Sequence, residues 1–148
     1  MLDISTVTLI LASVIGCVTA YIAIQQWLTA RNKFRLDLFD RRFPVFEEAM
    51  RLAIAIARKG ICTDEQLREY AIASKGVRFL FDQQMEDYCR KLYNEAIAVQ
   101  VGKEKMEGLP PDNERVTSSE AWNKRVRWFN EQVDEMPIRF APFLRIRG

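Results

Sequence analysis

The chain has 148 residues, with 22 Lys and Arg against 20 Asp and Glu, a formal net charge of +2, and no histidine. This small basic excess is not the composition of a protein that binds duplex nucleic acid. The three cysteines are widely scattered, and histidine is the usual partner of cysteine in zinc sites. We therefore expect no disulfide framework, no metal site and no cofactor.

The first predicted element is an uncharged run from Ile4 to Ala30. About 20 apolar helical residues, each rising about 1.5 Å, cross a hydrocarbon core of about 30 Å. We predict a transmembrane helix in residues 1–30 and a separate domain in residues 31–148. A signal peptide is the main alternative, but no Lys or Arg precedes this run and it is too long. A buried core helix is the remaining alternative.

The basic residues predict the orientation of this helix. Every Lys and Arg lies at or beyond Arg31, and residues 31–60 hold eight basic and four acidic side chains. By the positive-inside rule, the larger part of the chain is cytoplasmic and Met1 to about Asp3 is outside. We expect a single-pass protein of the bacterial inner membrane, with the lipid bilayer as a partner.

The stretch from Lys33 to Ala53 is predicted to be helical, and this helix should end by Gly60, where a left-handed cap is available. Pro44 interrupts its pattern and predicts a kink or a new start near Arg42. Apolar residues at steps of three and four define its main face: Leu36, Phe39, Phe43, Phe46, Met50, Ala53 and Ala57. A second set widens that face: Leu38, Val45, Ala49, Leu52 and Ile56.

A capping box of Thr63 and Gln66 opens a further helix, which we predict from about Asp64 to Lys75. Asp82 is a good N-cap for the next helix, from Gln83 to about Glu107. One apolar face is expected along that helix: Met85, Tyr88, Cys89, Leu92, Ala96 and Val99.

The segment EGLPPDNERVTSS has the composition of an exposed loop. We predict a last helix from about Ser119 to Glu135, which buries Trp122, Val126, Phe129 and Val133 and ends before Pro137. The apolar tail IRFAPFLRIRG is expected to pack back on the domain. The predicted fold is all-α, with one N-terminal transmembrane helix followed by a cytoplasmic bundle of about four helices.

Small residues recur every four positions in the apolar run, at Ala12, Gly16 and Ala20. Such spacing lets two helix backbones approach closely in lipid. We predict that this face mediates homo-oligomerisation; an ordinary content of small residues is the alternative interpretation.

Two groups of cations are candidate ligand-binding residues. Guanidinium groups bind phosphate with two parallel hydrogen bonds, and aromatic rings next to arginines stack on nucleobases. Pairing of the two arginines of the first group with Asp37 and Asp40 is the structural alternative. The predicted ligand-binding residues are Arg41 and Arg42 in the first group, and Lys124, Arg125, Arg127 and Trp128 in the second.

The sequence contains no catalytic signature. It lacks a glycine-rich phosphate loop, a nucleophile elbow and a metal-ligand cluster. Adjacent carboxylates such as Glu47 and Glu48 point in different directions on a helix. We therefore do not expect an enzyme.

The stretch FRLDLFDRRFPVFE after a single span resembles a group of small, mostly uncharacterised bacterial membrane proteins. The matching positions are Arg35 to Phe39, then Arg41 or Arg42, then Phe46 and Glu47; Pro44 is a departure. That group has no established activity to transfer. The layout of the chain is also similar to membrane effectors of anti-phage systems, including those gated by cyclic oligonucleotides, and this likeness is one of architecture only.

From these features we expect a homo-oligomeric inner-membrane effector or sensor. Its cytoplasmic helical domain would bind a ligand and alter the membrane assembly. A cyclic nucleotide, in particular a cyclic oligonucleotide of anti-phage defence, is the first ligand to test. The alternative is a passive membrane anchor or scaffold for a cytoplasmic protein partner.

Overall fold

A computed structural model describes residues 3–108 and 113–145, and these residues form helices with short connections and no strand. In chain order the helices are α1 (Ile4–Lys59), α2 (Asp64–Ala73), a 3-10 helix (Ser74–Gly76), α3 (Val77–Leu80), α4 (Gln83–Gly108) and α5 (Asn113–Leu144). The all-α prediction is therefore confirmed for the described residues.

The chain divides into two units, Met1–Asp37 and Leu38–Gly148. The first unit contains the uncharged run, whose side chains are exposed throughout. Among the described helices, α1 alone is long and apolar enough to cross a membrane, by its length and composition. The second unit contains the hydrophobic core and is called the helical domain below.

Helix α1 does not restart near Arg42, because Pro44 lies inside a single continuous helix. The buried face of α1 also differs from the predicted main face. Leu36 and Phe43 belong to the predicted face but are exposed. The buried positions come chiefly from the second predicted set: Val45, Ala49, Leu52, Ala53, Ala55 and Ile56. The predicted end is confirmed, since Gly60 has a φ of 70° and its N–H donates to the Ile56 carbonyl at 2.8 Å.

Both predicted N-caps after α1 are confirmed. The Thr63 hydroxyl accepts from the Gln66 N–H at 3.2 Å, and the Gln66 side chain accepts from the Thr63 N–H at 3.0 Å. The carboxylate of Asp82 accepts from the Met85 N–H at 2.9 Å. Helix α2 ends at Ala73 rather than at the predicted Lys75, because the chain tightens into the 3-10 helix there.

The predicted apolar face of α4 is confirmed at all six positions, which are buried. Two buried tyrosine hydroxyls, one on this face and one on α2, are hydrogen-bonded. The Tyr88 hydroxyl donates to the Gln132 side-chain oxygen at 2.8 Å, and the Tyr70 hydroxyl donates to the Cys89 carbonyl at 2.9 Å. These bonds tie α4 to α5 and to α2.

Helix α5 is longer than predicted at both ends. Residues 113–119 are helical rather than part of a loop, and residues 109–112 of that predicted loop lie outside the described residues. Pro137 does not end the helix, which continues through Pro142 to Leu144. The most deeply buried apolar side chains of α5 are Phe129, Met136 and Phe140, whereas the predicted Trp122, Val126 and Val133 are partly buried against the core.

The predicted packing of the tail is confirmed as far as the structure describes it, but it occurs as the last turns of α5. Phe140 is fully buried, and its ring centroid lies 5.3 Å from that of Phe46 and 5.6 Å from that of Phe81. The Phe143 ring lies 5.2 Å from Phe81. We call Phe46, Phe81, Phe140 and Phe143 the aromatic cluster; it joins α1, the residue after α3, and the end of α5.

Candidate functional site

Arg42 lies against the aromatic cluster. Its Nε donates to the Leu80 carbonyl at 2.8 Å, and its terminal nitrogen Nη1 donates to the Phe143 carbonyl at 3.2 Å. Its guanidinium carbon lies 5.6 Å from the ring centroid of Phe81 and 5.7 Å from that of Phe143. A cation is favourable there because the last carbonyls of a helix lack intrahelical donors. These contacts favour a structural role for Arg42 over phosphate binding.

The other predicted cations lie elsewhere in the helical domain. Arg41 is exposed on α1. The Arg125 Nε lies 3.2 Å from the Glu95 carboxylate, while Lys124 and Arg127 are exposed on α5. Arg42 contacts Phe143. Along α5, Phe143 lies 18 residues after Arg125, or about 27 Å of helix rise. The structure therefore does not bring the two predicted groups together.

Trp128 belongs to the second predicted group, and its ring is already in contact with neighbours. The Lys91 ammonium lies 5.0 Å from its centroid, and the Phe129 ring lies 5.0 Å away in an edge-to-face arrangement. Stacking of a nucleobase on the Trp128 face that Lys91 covers would displace this ammonium group.

Two grooves of about 410 Å³ open on the helical domain. The acidic groove, between α4 and α5, includes Trp128. Its charged lining has two cations and three acids, a sum of −1: Lys91, Arg139, Asp87, Glu131 and Glu135. The basic groove, beside α2, α3 and α4, has three cations and one acid, a sum of +2: Lys75, Arg78, Arg90 and Glu86. Of these two grooves, the basic groove has the charge balance that suits an anion.

The basic groove is built from two short stretches of chain, residues 71–78 and 86–93. Lys75 and Arg78 are three residues apart, and both lie on its wall. Arg90 on α4 also lines the groove, and it pairs with Glu86 at 2.7 Å. Within the described part of the chain, neither Lys75 nor Arg78 has a carboxylate within ion-pair distance. Two cations therefore remain uncompensated at the groove.

The floor and side of the basic groove are less polar. Val77 and Cys89 are almost fully buried at its base, and the half-buried Tyr93 packs against the core beside it. Ser74 also lines the groove, and its hydroxyl donates to the Ala71 carbonyl at 3.2 Å. The groove therefore offers an aromatic surface and an apolar base next to its cations.

The thiol of Cys89 is not arranged for nucleophilic chemistry. Burial raises its pKa from 9.0 to about 11, while the hydrogen bond with Tyr70 acts in the opposite direction. Burial also raises the pKa of the Cys62 thiol. Reactive cysteines have a lowered pKa, because the thiolate is the nucleophile. The basic groove is therefore suited to binding rather than to thiol chemistry.

Sequence reasoning missed the four residues that define the basic groove: Lys75, Arg78, Arg90 and Tyr93. Two local signals exist, since Lys75 and Arg78 are three apart, as are Arg90 and Tyr93. Each spacing places two side chains on one helical face. Nothing in the sequence shows that the two pairs line one groove.

The predicted oligomerisation face lies in the first unit. Ala12, Gly16 and Ala20 are all exposed, and a Cβ atom added at Gly16 would meet no atom within 4 Å. Within the described residues, this part of α1 makes no packing contact that would cover the small side chains. The face is sterically open to another helix.

Comparison of the chain with protein-family models, with curated proteins and with solved structures finds no match. The resemblance of the FRLDLFDRRFPVFE stretch to small single-span proteins thus stays a prediction. The functional inference rests on α1, on the contacts of Arg42 and on the basic groove.

Proposed function

We propose that the protein is a homo-oligomeric, single-span protein of the bacterial inner membrane that responds to a ligand. Its helical domain is cytoplasmic, binds the ligand, and changes the packing of the membrane helices. A cyclic nucleotide of anti-phage defence is the first ligand to test. The observation that carries this proposal is the pair of hydrogen bonds from Arg42 on α1 to the ends of α3 and α5.

The membrane part of the proposal is supported by α1. Its uncharged run is long enough for a hydrocarbon core of about 30 Å, and its side chains are exposed. An apolar helix of this kind is unfavourable in water, because its surface is not buried within the chain. The basic residues after Ala30 support a cytoplasmic domain.

The response to a ligand is supported by how α1 is held in the helical domain. Arg42 donates to the last residue of α3 and to a residue in the last turn of α5. A ligand shifts a conformational equilibrium only by its difference in affinity for the two states. A ligand that contacts α3 therefore acts on α1 if it favours one position of the Leu80 carbonyl over another.

The native Cys17 gives a direct test of this function. It is exposed and follows Gly16 in the apolar run, whereas Cys62 and Cys89 are buried. The full chain in bacterial membrane vesicles is oxidised with copper phenanthroline, with and without cyclic AMP, cyclic di-AMP or cyclic di-GMP. We expect a disulfide-linked dimer whose yield changes at least about twofold with one of these nucleotides.

Three outcomes decide the proposal. Dimer formation that changes with a nucleotide supports it, and a Cys17→Ser variant must abolish the dimer as a control. Dimers whose yield is unchanged by all three nucleotides overturn the sensor function for this ligand class. A monomeric protein that instead co-purifies with a cytoplasmic protein supports the anchor or scaffold function.

A further inference from the structure

We infer that the basic groove is a binding site for a nucleotide. Lys75 and Arg78 hold the phosphate of the nucleotide, and its nucleobase lies against Tyr93. This inference deepens the proposed function and rests on it for the consequence of binding. The binding itself depends only on the helical domain. The residues involved are distinct from the six predicted from the sequence.

The charges of the groove indicate an anionic ligand. Glu86 and Arg90 compensate each other at 2.7 Å, which leaves the charges of Lys75 and Arg78. An ammonium and a guanidinium three residues apart supply several N–H donors to one anion. Phosphate accepts such charge-assisted bonds, and the sum of +2 suits a ligand with one or two negative charges.

The size and lining of the groove indicate an aromatic part in that ligand. A volume of about 410 Å³ lies at the low end of the usual range for small-molecule sites, and a bare phosphate would leave most of it empty. Val77 and Cys89 provide an apolar floor, and the Tyr93 ring also lines the groove. Nucleobases of any identity stack on aromatic side chains and on guanidinium planes.

The position of the groove connects binding to α1. Arg78 lies on α3, two residues before Leu80, whose carbonyl accepts from Arg42 at 2.8 Å. The carbonyl of Val77, the residue before Arg78, accepts from the Phe81 N–H at 2.9 Å. A phosphate held by Arg78 would therefore act on the short helix that Arg42 fixes to α1.

The test measures binding of three probes to the full chain in detergent by isothermal titration calorimetry: cyclic AMP, AMP and inorganic phosphate. We expect AMP or cyclic AMP to bind, and the Arg78→Glu and Lys75→Glu variants to weaken that binding at least about tenfold. The Tyr93→Leu variant should weaken binding of the nucleotides more than binding of phosphate. Raising the salt concentration should weaken the binding of every probe that binds.

Two charge-reversal controls make this test specific. Lys105→Glu changes the same charge in the last turn of α4, outside the groove, and should leave affinity unchanged. Arg127→Glu lies in the second predicted group on α5. If Arg127→Glu weakens binding as strongly as Arg78→Glu does, the inference is overturned. It is also overturned if none of the three probes binds. Thermal unfolding of each variant identifies a loss of affinity that comes from misfolding. If Lys75→Glu misfolds, the milder Lys75→Gln variant replaces it.

The groove and the proposed function fail separately in this design. If Arg78→Glu abolishes nucleotide binding while Cys17 crosslinking never responds to the nucleotide, the groove is supported and the sensor function is wrong. If crosslinking responds equally in the original chain and in Arg78→Glu, the sensor function is supported and the groove is wrong.

Discussion

Arg42 on α1 donates to the carbonyl of Leu80, 2.8 Å away, at the end of a helix of only four residues. The same guanidinium reaches the Phe143 carbonyl, 101 residues later in the chain. One side chain thus satisfies acceptors at the ends of two helices, where intrahelical donors are missing. Because it also lies against two phenylalanine rings, this arginine holds α1, α3 and α5 together.

Replacement of Arg42 by Gln should lower the free energy of unfolding by about 2–3 kcal/mol, since a hydrogen bond from a charged donor contributes about 1.5–3 kcal/mol. Arg42→Lys should recover only part of this, because one ammonium lacks the planar fork that reaches both carbonyls. Urea unfolding of the full chain in detergent, followed by circular dichroism, measures both. The exposed Arg127→Gln should change stability by less than about 0.5 kcal/mol. Equal stability of the Lys variant and the original protein would show that charge alone matters.

Gly60 is required for two independent reasons. Its φ of 70° is strained for other residues, and an added Cβ would lie 2.6 Å from the Trp122 Cζ2 atom. We expect Gly60→Ala to destabilise the domain by about 2–4 kcal/mol, from the sum of the left-handed strain and the overpacking. The thermal unfolding midpoint of the full chain measures this.

Gly102→Ala is the matched control for Gly60→Ala. The new methyl group would also face Trp122, but at an ordinary contact distance of 3.6 Å from Cδ1. Since Ala is favoured over Gly inside a helix by about 1 kcal/mol, this variant should be neutral or slightly more stable. Destabilisation of the two variants to the same extent would contradict the geometry around Trp122.

The sequence was sufficient for those parts of the fold that depend on neighbouring residues. The face of α4 follows from its 3.6-residue period, and all six predicted positions are buried. The caps at Thr63 and Asp82 and the end at Gly60 are also local, since each involves residues at most four apart. Local hydrogen-bonding rules therefore place these three helix boundaries.

The prolines show why α5 was predicted too short. A proline inside a helix costs roughly 3 kcal/mol, which is a sound reason to end a helix at Pro137. Met136 and Phe140 on either side of it are fully buried, and burial of each such side chain contributes about 1.5–3 kcal/mol. The tertiary gain thus offsets the local cost. The same competition keeps α1 continuous through Pro44, where the adjacent Val45 is buried.

The sites were harder to predict than the helices, because their contacts join distant parts of the chain. The bond from Arg42 to Phe143 spans 101 residues, and no local pattern marks its acceptor, a backbone carbonyl. The basic groove likewise combines the wall around Arg78 with Arg90 on α4. The sequence identified cations next to aromatics, but not which of them face each other.

The buried tyrosine of α4 predicts a loss of stability at high pH. Burial is the main reason that the pKa of Tyr88 is raised from 10.0 to about 12. In the unfolded chain this phenol ionises near pH 10, while in the folded protein it stays protonated up to about pH 12. The unfolded state therefore binds fewer protons in this range, and stability falls as pH rises from about 10 to about 12.

Tyr88→Phe tests this pH dependence. At neutral pH it leaves the buried Gln132 without its partner at 2.8 Å, which should cost about 1–3 kcal/mol. Between pH 10 and 12, however, its stability should fall less steeply than that of the original chain. The difference between the two proteins in ultraviolet tyrosinate absorbance should titrate with a midpoint of about 12. A midpoint near the ordinary value of 10.0 would contradict the burial of this hydroxyl.

If the small-residue face of α1 mediates oligomerisation, a larger side chain at Gly16 should weaken the oligomer. A Cβ atom added at Gly16 would meet no atom within 4 Å. In an oligomer that uses this face, a leucine would instead separate the helix backbones. We expect Gly16→Leu to reduce Cys17 disulfide crosslinking in membrane vesicles by at least about fivefold.

Val18→Leu adds bulk two positions further on, about 200° around the helix, and should leave crosslinking unchanged. Equal crosslinking in Gly16→Leu and in the original chain would exclude this face from the interface, whereas equal losses in both variants would show that bulk anywhere in the span disrupts assembly.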